Sequence, residues 1–334
     1  MMIADLTGRL LRRESLPPPV RSAGLALILL TTATTPAIAQ ADRRPSASEI
    51  APQVRLMDDV VTLPITMIRE YPFVDASIAG VAGKLMLDTG YEPALMVNDH
   101  RVPMSGGRSV GIGSFGSGQT FEVRIVPEVS DVRVGDLSFP RVTEVRTQDA
   151  RLLETITPDF LGWLGYNAFA THALKLDYGA LQATFYRSGG ADFLAGERVV
   201  ARLAFSTRRL PNHPMTPARL GEMSILAAWD TGQYGDLYTT EEGKARLLSE
   251  GRLTPSQTDP DTFDLHGLTV DGHPMPVLSG ISVQTDPSPS AGPVGLTESD
   301  HLTLGYNLLQ HFKTVWDFPQ RHIYLLAPGL TSIP

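Results

Sequence analysis

A chain of 334 residues, 42% hydrophobic and 19% charged, has the make-up of a globular protein long enough for two ordinary domains or one large bilobal unit. A formal net charge of −8 argues against a nucleic-acid partner, and the absence of cysteine excludes disulfides, a thiol nucleophile and a cysteine zinc site. With 30 Gly and 26 Pro, the chain favours many turns and short strands over long helices.

At the N-terminus, Arg9, Arg12, Arg13 and Arg21 precede an apolar run at 23–30 and then Ala37-Ile38-Ala39. That order of charge, apolar run and small residues is the pattern of a bacterial secretory signal. Residues 1–39 are therefore expected to be a signal peptide, cleaved near Ala39, with the mature chain periplasmic or extracellular. The apolar run is short for a membrane crossing, so no stable membrane span is expected after cleavage. Residues 40–59 are expected to form a flexible leader.

From Val60 the pattern is β-like. Residues 73–78 turn at Gly80–Gly83 into 84–87, a hairpin that delivers Asp88 from the end of a strand. A glycine-rich stretch at 106–118 leads into 120–126, which alternates apolar and polar as a half-buried strand does. Further strands are expected at 129–137 and 142–146, a short helix at 168–173, strands at 174–178 and 183–186, and a junction at Ser188-Gly189-Gly190. In the second half, 223–228 runs into Trp229-Asp230. Thr239 and Glu242 then stand at capping-box spacing to open a helix. Strands follow at 265–270, 275–278 and 281–284, a Pro/Ser-rich loop at 286–295, a short helix at 308–312, and strands at 313–318 and 322–326. The expected lobes are 60–190 and 191–334.

The chain repeats itself. Leu87-Asp88-Thr89-Gly90 has a twin in Trp229-Asp230-Thr231-Gly232. Asp88 lies 76 residues before Leu164 and Asp230 lies 74 before Leu304, and each Leu opens a Leu-Gly-Tyr-Asn. Asp177 follows Asn167 by ten residues, as Asp317 follows Asn307. A long-period repeat of this kind means one unit used twice, most simply as two lobes about a pseudo-twofold axis.

Two carboxylates brought together cannot both ionise, so they share a proton. The ionised member can then take a proton from an attacking water while the protonated one donates to a carbonyl oxygen. No His-Glu-x-x-His or Gly-x-Ser-x-Gly offers a different hydrolytic site. Gly111-Ile112-Gly113-Ser114-Phe115-Gly116 fits a phosphate-loop spacing, but it leads into a strand pattern where that motif needs a helix. The eight His show no ligand spacing, so neither a metal nor a cofactor is expected.

On both Asp-Thr-Gly motifs, with Trp163-Leu164-Gly165 and Thr303-Leu304-Gly305 behind them, the chain resembles the pepsin-like and retropepsin-like aspartic peptidases over about residues 60–327. Its Leu-Gly-Tyr-Asn wording is nearer to bacterial retropepsin-like proteins. The resemblance implies an all-β, bilobal aspartic-peptidase fold with two pseudo-twofold-related, β-barrel-like lobes. It implies an endopeptidase dyad of Asp88 and Asp230, with Thr89 and Thr231 bracing the two loops. Gly90 and Gly232 let the backbone bend tightly and bring an N–H close to each carboxylate. Gly113, Ser114, Phe115 and Gly116 would belong to a flap over an extended polypeptide substrate, and one chain would suffice as a monomer. The chain departs from the family at Thr303, at the flap, which lacks a Tyr, and at Tyr91 and Gln233, where pepsins carry Ser or Thr and retropepsins Ala. Those departures carry the alternative expectation, an exported peptide-binding protein that keeps the fold with little or no catalysis.

Overall fold

The structure, a computed structural model, describes residues 56–114, 119–188, 192–288 and 291–328. The expected signal segment, most of the leader, Phe115, Gly116 and the Gly189-Gly190 junction lie outside the described residues. Among those described, the strands form sheets of eight, nine and six. Helices are few and short, and Glu241–Ser249 is the longest of them.

The two halves follow one path. In the first, Val81–Asp88 runs parallel to Phe160–Gly165, which lies antiparallel to Leu95–Asn98, which in turn is parallel to Leu137–Gln148. In the second, Met223–Trp229 runs parallel to His301–Leu304, then antiparallel to Gly235–Tyr238, then parallel to Leu278–Gln284. Each half curls back on itself, through Ala76↔Val134 in one and Ala218↔Val270 in the other. The all-β, two-lobed expectation holds.

The six-stranded sheet is shared. Three of its strands come from each half, and His172–Asp177 joins Lys313–Asp317 at its centre with Leu174 opposite Trp316. Trp316 also meets Trp229 edge-to-face at 6.3 Å. Both rings are fully buried, and each indole N–H is satisfied by a threonine, Thr216 for Trp229 and Thr314 for Trp316. Truncating either ring to Ala would cost about 3–5 kcal/mol. Asp177 and Asp317 close equivalent turns, accepting from Ala180 N at 2.9 Å and Gln320 N at 3.1 Å.

Local expectations shift where long-range pairing claims a residue. Strands expected at 129–137 and 142–146 are the arms of one hairpin, Thr120–Val134 and Leu137–Gln148, turning at Gly135 with φ +54°. The helix expected at 168–173 shrinks to a single tight turn, Tyr166–Ala168, because the shared sheet takes His172–Asp177. Thr240 caps the helix of the second half, accepting from Gly243 N at 3.0 Å. Thr239 cannot do so: its own N–H is held in the sheet by Gln284 O, and its hydroxyl donates to Asp300 at 2.6 Å. The helix expected at 308–312 begins earlier, as Tyr306–Leu309, and the 286–295 loop contains a helical turn, Ala291–Val294.

Candidate active site

Each Asp-Thr-Gly loop leaves the end of a strand that is buried along its last turns, so both carboxyls are carried into the interior. Asp88 is 2% exposed and Asp230 5%. The loops meet between the halves and hold each other reciprocally. Thr89 N donates to the Thr231 hydroxyl at 2.9 Å, and Thr231 N donates to the Thr89 hydroxyl at 3.0 Å. The Thr231 hydroxyl donates in turn to Leu87 O at 3.0 Å. No water is needed to satisfy these buried amides, because each loop supplies what the other lacks.

The glycines are required by closeness rather than by backbone angle. A methyl group at Gly90 would sit inside the Asp230 carboxylate, and one at Gly232 inside the Asp88 carboxylate. Each loop therefore packs its bare backbone against the other half's acid. Gly90 N donates to Asp88 Oδ1 at 2.8 Å and Gly232 N to Asp230 Oδ1 at 2.8 Å, and Gly90 also bonds Asp230 through its backbone.

The two carboxyls are hydrogen-bonded to one another. Burial pushes the Asp88 carboxyl well above the usual carboxylate range, and the charge of Asp230 and the bond to it push it further. Burial raises Asp230 as well, while the Gly232 N–H, the Asp88 carboxyl and Gly90 pull it back. The outcome is a pair that retains a shared proton at a pH where isolated carboxyls have lost theirs.

The Leu-Gly-Tyr-Asn segments support both loops in the same way. Tyr166 N donates to Tyr91 O at 2.8 Å and Tyr306 N to Gln233 O at 2.9 Å, while Asn167 N and Asn307 N donate to Glu92 O and Tyr234 O at 3.0 Å each. Side chains at Gly165 and Gly305 would collide with those same loop carbonyls. Tyr91 acts on the dyad through its backbone, N to Asp88 Oδ1 at 3.1 Å. Its ring instead stacks on Trp163, 5.7 Å away, in a buried cluster with Tyr71, Phe73, Phe160 and Phe121. Gln233 is equally enclosed, 2% exposed.

Phe121 links that cluster to the expected flap. Arg108–Ser114 and Thr120–Val134 form a hairpin with Ser114 opposite Thr120, and Gly113 lies against the Phe121 ring. Ile112 stands 57% exposed on this hairpin. Phe115 and Gly116 lie outside the described residues.

The structure matches a solved structure, the aspartic proteinase from Irpex lacteus, at 12% identity with a TM-score of 0.50. The match covers 82% of this chain and 99% of that one. The fold is that of the aspartic proteinases. No protein-family model matches the sequence, and no curated protein matches it significantly. Among the described residues no three His, Asp or Glu side chains gather as metal ligands would, and no helix is long and apolar enough to cross a membrane.

Sequence reasoning passed over two residues that touch the Asp88-Thr89-Gly90 loop. Asn212, fully buried, donates from Nδ2 to Thr89 O at 3.2 Å and to Gly90 O at 2.7 Å. His213, 7% exposed, hydrogen-bonds the Gly90 backbone. A signal was present: Tyr71-Pro72 and His213-Pro214 each begin 17 residues before their Asp.

Proposed function

We propose that the chain is an aspartic endopeptidase that hydrolyses peptide bonds in an extended polypeptide, with Asp88 and Asp230 as a dyad and no cofactor. The observation that carries this reading is the pair of buried, mutually hydrogen-bonded carboxyls, one from each half, on reciprocally braced loops. The ionised member takes a proton from water as its oxygen attacks the scissile carbonyl carbon, and the protonated member gives its proton to the carbonyl oxygen. Collapse of the resulting diol breaks the C–N bond, and the leaving amine takes up a proton from the dyad. The substrate would lie beneath the hairpin Arg108–Ser114/Thr120–Val134, pairing with strand edges. Export after removal of residues 1–39, and action as a monomer, belong to the same proposal.

One observation favours a second reading, a peptide-binding protein of low activity. Tyr91 turns its ring away from Asp88 onto Trp163, so the residue after this Gly offers the carboxylate a backbone N–H and no hydroxyl. A casein or peptide-library digest from pH 3 to pH 8, with and without pepstatin, on the wild type and Asp88→Asn, decides between the two. Pepstatin-sensitive cleavage lost in the variant supports the peptidase. Peptide binding without any cleavage supports the second reading.

A further inference from the structure

The two halves follow one strand path, and the register shows which residue corresponds to which. Phe73 pairs with Met86 and Met215 pairs with Ala228, and Met86 and Ala228 each lie two residues before their Asp. Tyr71-Pro72 is thus the counterpart of His213-Pro214. In the first half that position carries a buried phenol ring in the aromatic cluster. In the second it carries an imidazole, with Asn212 before it, and both reach across to the other half's loop.

What they grip matters more than that they grip. The Thr89 carbonyl and the Gly90 N–H belong to one planar peptide unit, and the Gly90 carbonyl and the Tyr91 N–H belong to the next. Asn212 holds both carbonyls, and His213 bonds the backbone of Gly90, its Nε2 having no partner. Because a peptide unit is rigid, fixing its carbonyl aims its N–H. The two N–H groups so aimed are those of Gly90 and Tyr91, both bonded to Asp88 Oδ1, and Gly90 bonds Asp230 as well. The segment that does this is anchored: the Pro214 carbonyl accepts from Trp229 N at 3.0 Å, tying it to the strand that ends at Asp230.

We propose that Asn212 and His213 are positioning residues, a clamp from the second half that aims the Gly90 and Tyr91 N–H groups at the dyad and so sets the pH at which its shared proton is lost. The regulation of the dyad inferred here rests on the aspartic-peptidase reading only for its consequences on cleavage. N–H bonds favour the charged form of a carboxyl. Loosening the clamp therefore moves the first ionisation of the pair to higher pH, and the acid limb of the activity profile moves with it. Besides His213, the ionisable groups around this loop are Tyr91, Glu92 and Arg146.

The test uses the full chain with Asp labelled at 13Cγ, the two dyad signals being assigned by their loss in Asp88→Asn and Asp230→Asn. Titration is followed by NMR in wild type, Asn212→Ala, His213→Phe and His213→Asn, the last keeping a side-chain N–H donor. In Asn212→Ala and His213→Phe the lower titration step is expected to rise by about half a pH unit. kcat is expected to fall about tenfold, as for one lost hydrogen bond, with KM little changed. His213→Asn is expected to titrate as wild type. Folded variants whose dyad titrates unchanged overturn the clamp. Should Asn212→Ala fail to fold, His213→Phe against His213→Asn makes the same decision. If the wild type cleaves nothing, the peptidase reading falls, and the carboxyl titration still judges the clamp.

Discussion

The halves of this molecule share a strand path and differ in what is hung on it. The first half extends into a hairpin of seven and fifteen residues, Arg108–Ser114 and Thr120–Val134. The corresponding strands of the second half are Leu253–Pro255 and Phe263–Leu265, three residues each. In the first half the strand Thr120–Val134 both pairs with Leu137–Gln148 and closes the barrel on Tyr71–Ile78. In the second half those tasks are split between Phe263–Leu265 and Leu268–Val270, with Gly267 at φ +70° close to the break. Bracing differs as well, with Asn212 and His213 reaching across from the second half. Duplication thus supplies two equivalent acids, and the parts outside the duplication make the site lopsided.

The sharpest way to break the equivalence is to remove one acid at a time. Asp88→Asn and Asp230→Asn are each expected to lower kcat by roughly a thousandfold or more, because a dyad acts as a unit. Substantial cleavage by either variant in a peptide assay would mean that one half suffices. Stability moves the other way. Both carboxyls have folded-state values raised above 3.8, so their contribution to stability is complete below that pH and is lost as pH rises through the raised values. Either Asn variant should melt higher than wild type at pH 7 by calorimetry, with the difference closing toward pH 3.

The next effect belongs to one half alone. Burial pushes His213 down from 6.5 to about 4, so the unfolded chain takes up this proton first as pH falls. The stability it confers is present above pH 6.5 and lost as pH falls through about 4, a change of about 3 kcal/mol at most. Urea unfolding of His213→Asn should show a correspondingly flatter dependence between pH 6.5 and pH 4. An unchanged slope would mean that His213 is not buried as described.

How much of this could be read in advance follows from where each constraint acts. That Asp88 and Asp230 meet, on loops joined by their threonines and backed by the Leu-Gly-Tyr-Asn segments, was legible because a repeat marks both copies at nearly equal spacing, and chance rarely does so. The glycines were legible as necessary, yet for a reason that strand patterns do not reveal: each lies against the acid of the other half. Helix starts were misread where a tertiary hydrogen bond outbid local propensity, as at Thr239, whose N–H is taken by Gln284. Asn212 escaped notice because it is the unduplicated member of its pair, with Glu70 at the equivalent place, and a search for symmetry is blind to it.

The threonine brace sets a finer test of symmetry. The Thr231 hydroxyl accepts from Thr89 N, donates to Leu87 O and lies 3.3 Å from the Thr89 hydroxyl, whereas the Thr89 hydroxyl serves Thr231 N alone besides that contact. Thr231→Val should cost about 2 kcal/mol and Thr89→Val about 1 kcal/mol in denaturant unfolding, since each buried group left unpaired adds its own penalty. Equal costs would mean that the brace relaxes to a symmetrical form.

The smallest effect concerns the hairpin that only the first half builds. Ile112 leaves most of its side chain in solvent on a strand paired directly to the one that carries Phe121, a member of the Tyr91–Trp163 cluster. An exposed apolar residue gains nothing in the free protein and gains transfer energy only when something covers it. If a substrate lies beneath this hairpin, Ile112→Ser should raise KM about fivefold, the equivalent of about 1 kcal/mol of burial, without altering kcat or the melting temperature. Thr254→Ser, on the short strand that replaces the hairpin in the second half, should leave KM unchanged. A fall in melting temperature for Ile112→Ser would mean that the hairpin already packs on the body of the free protein. Equal shifts in KM for both variants would mean that substrate meets the halves alike, and that the lopsidedness of the site ends at the clamp.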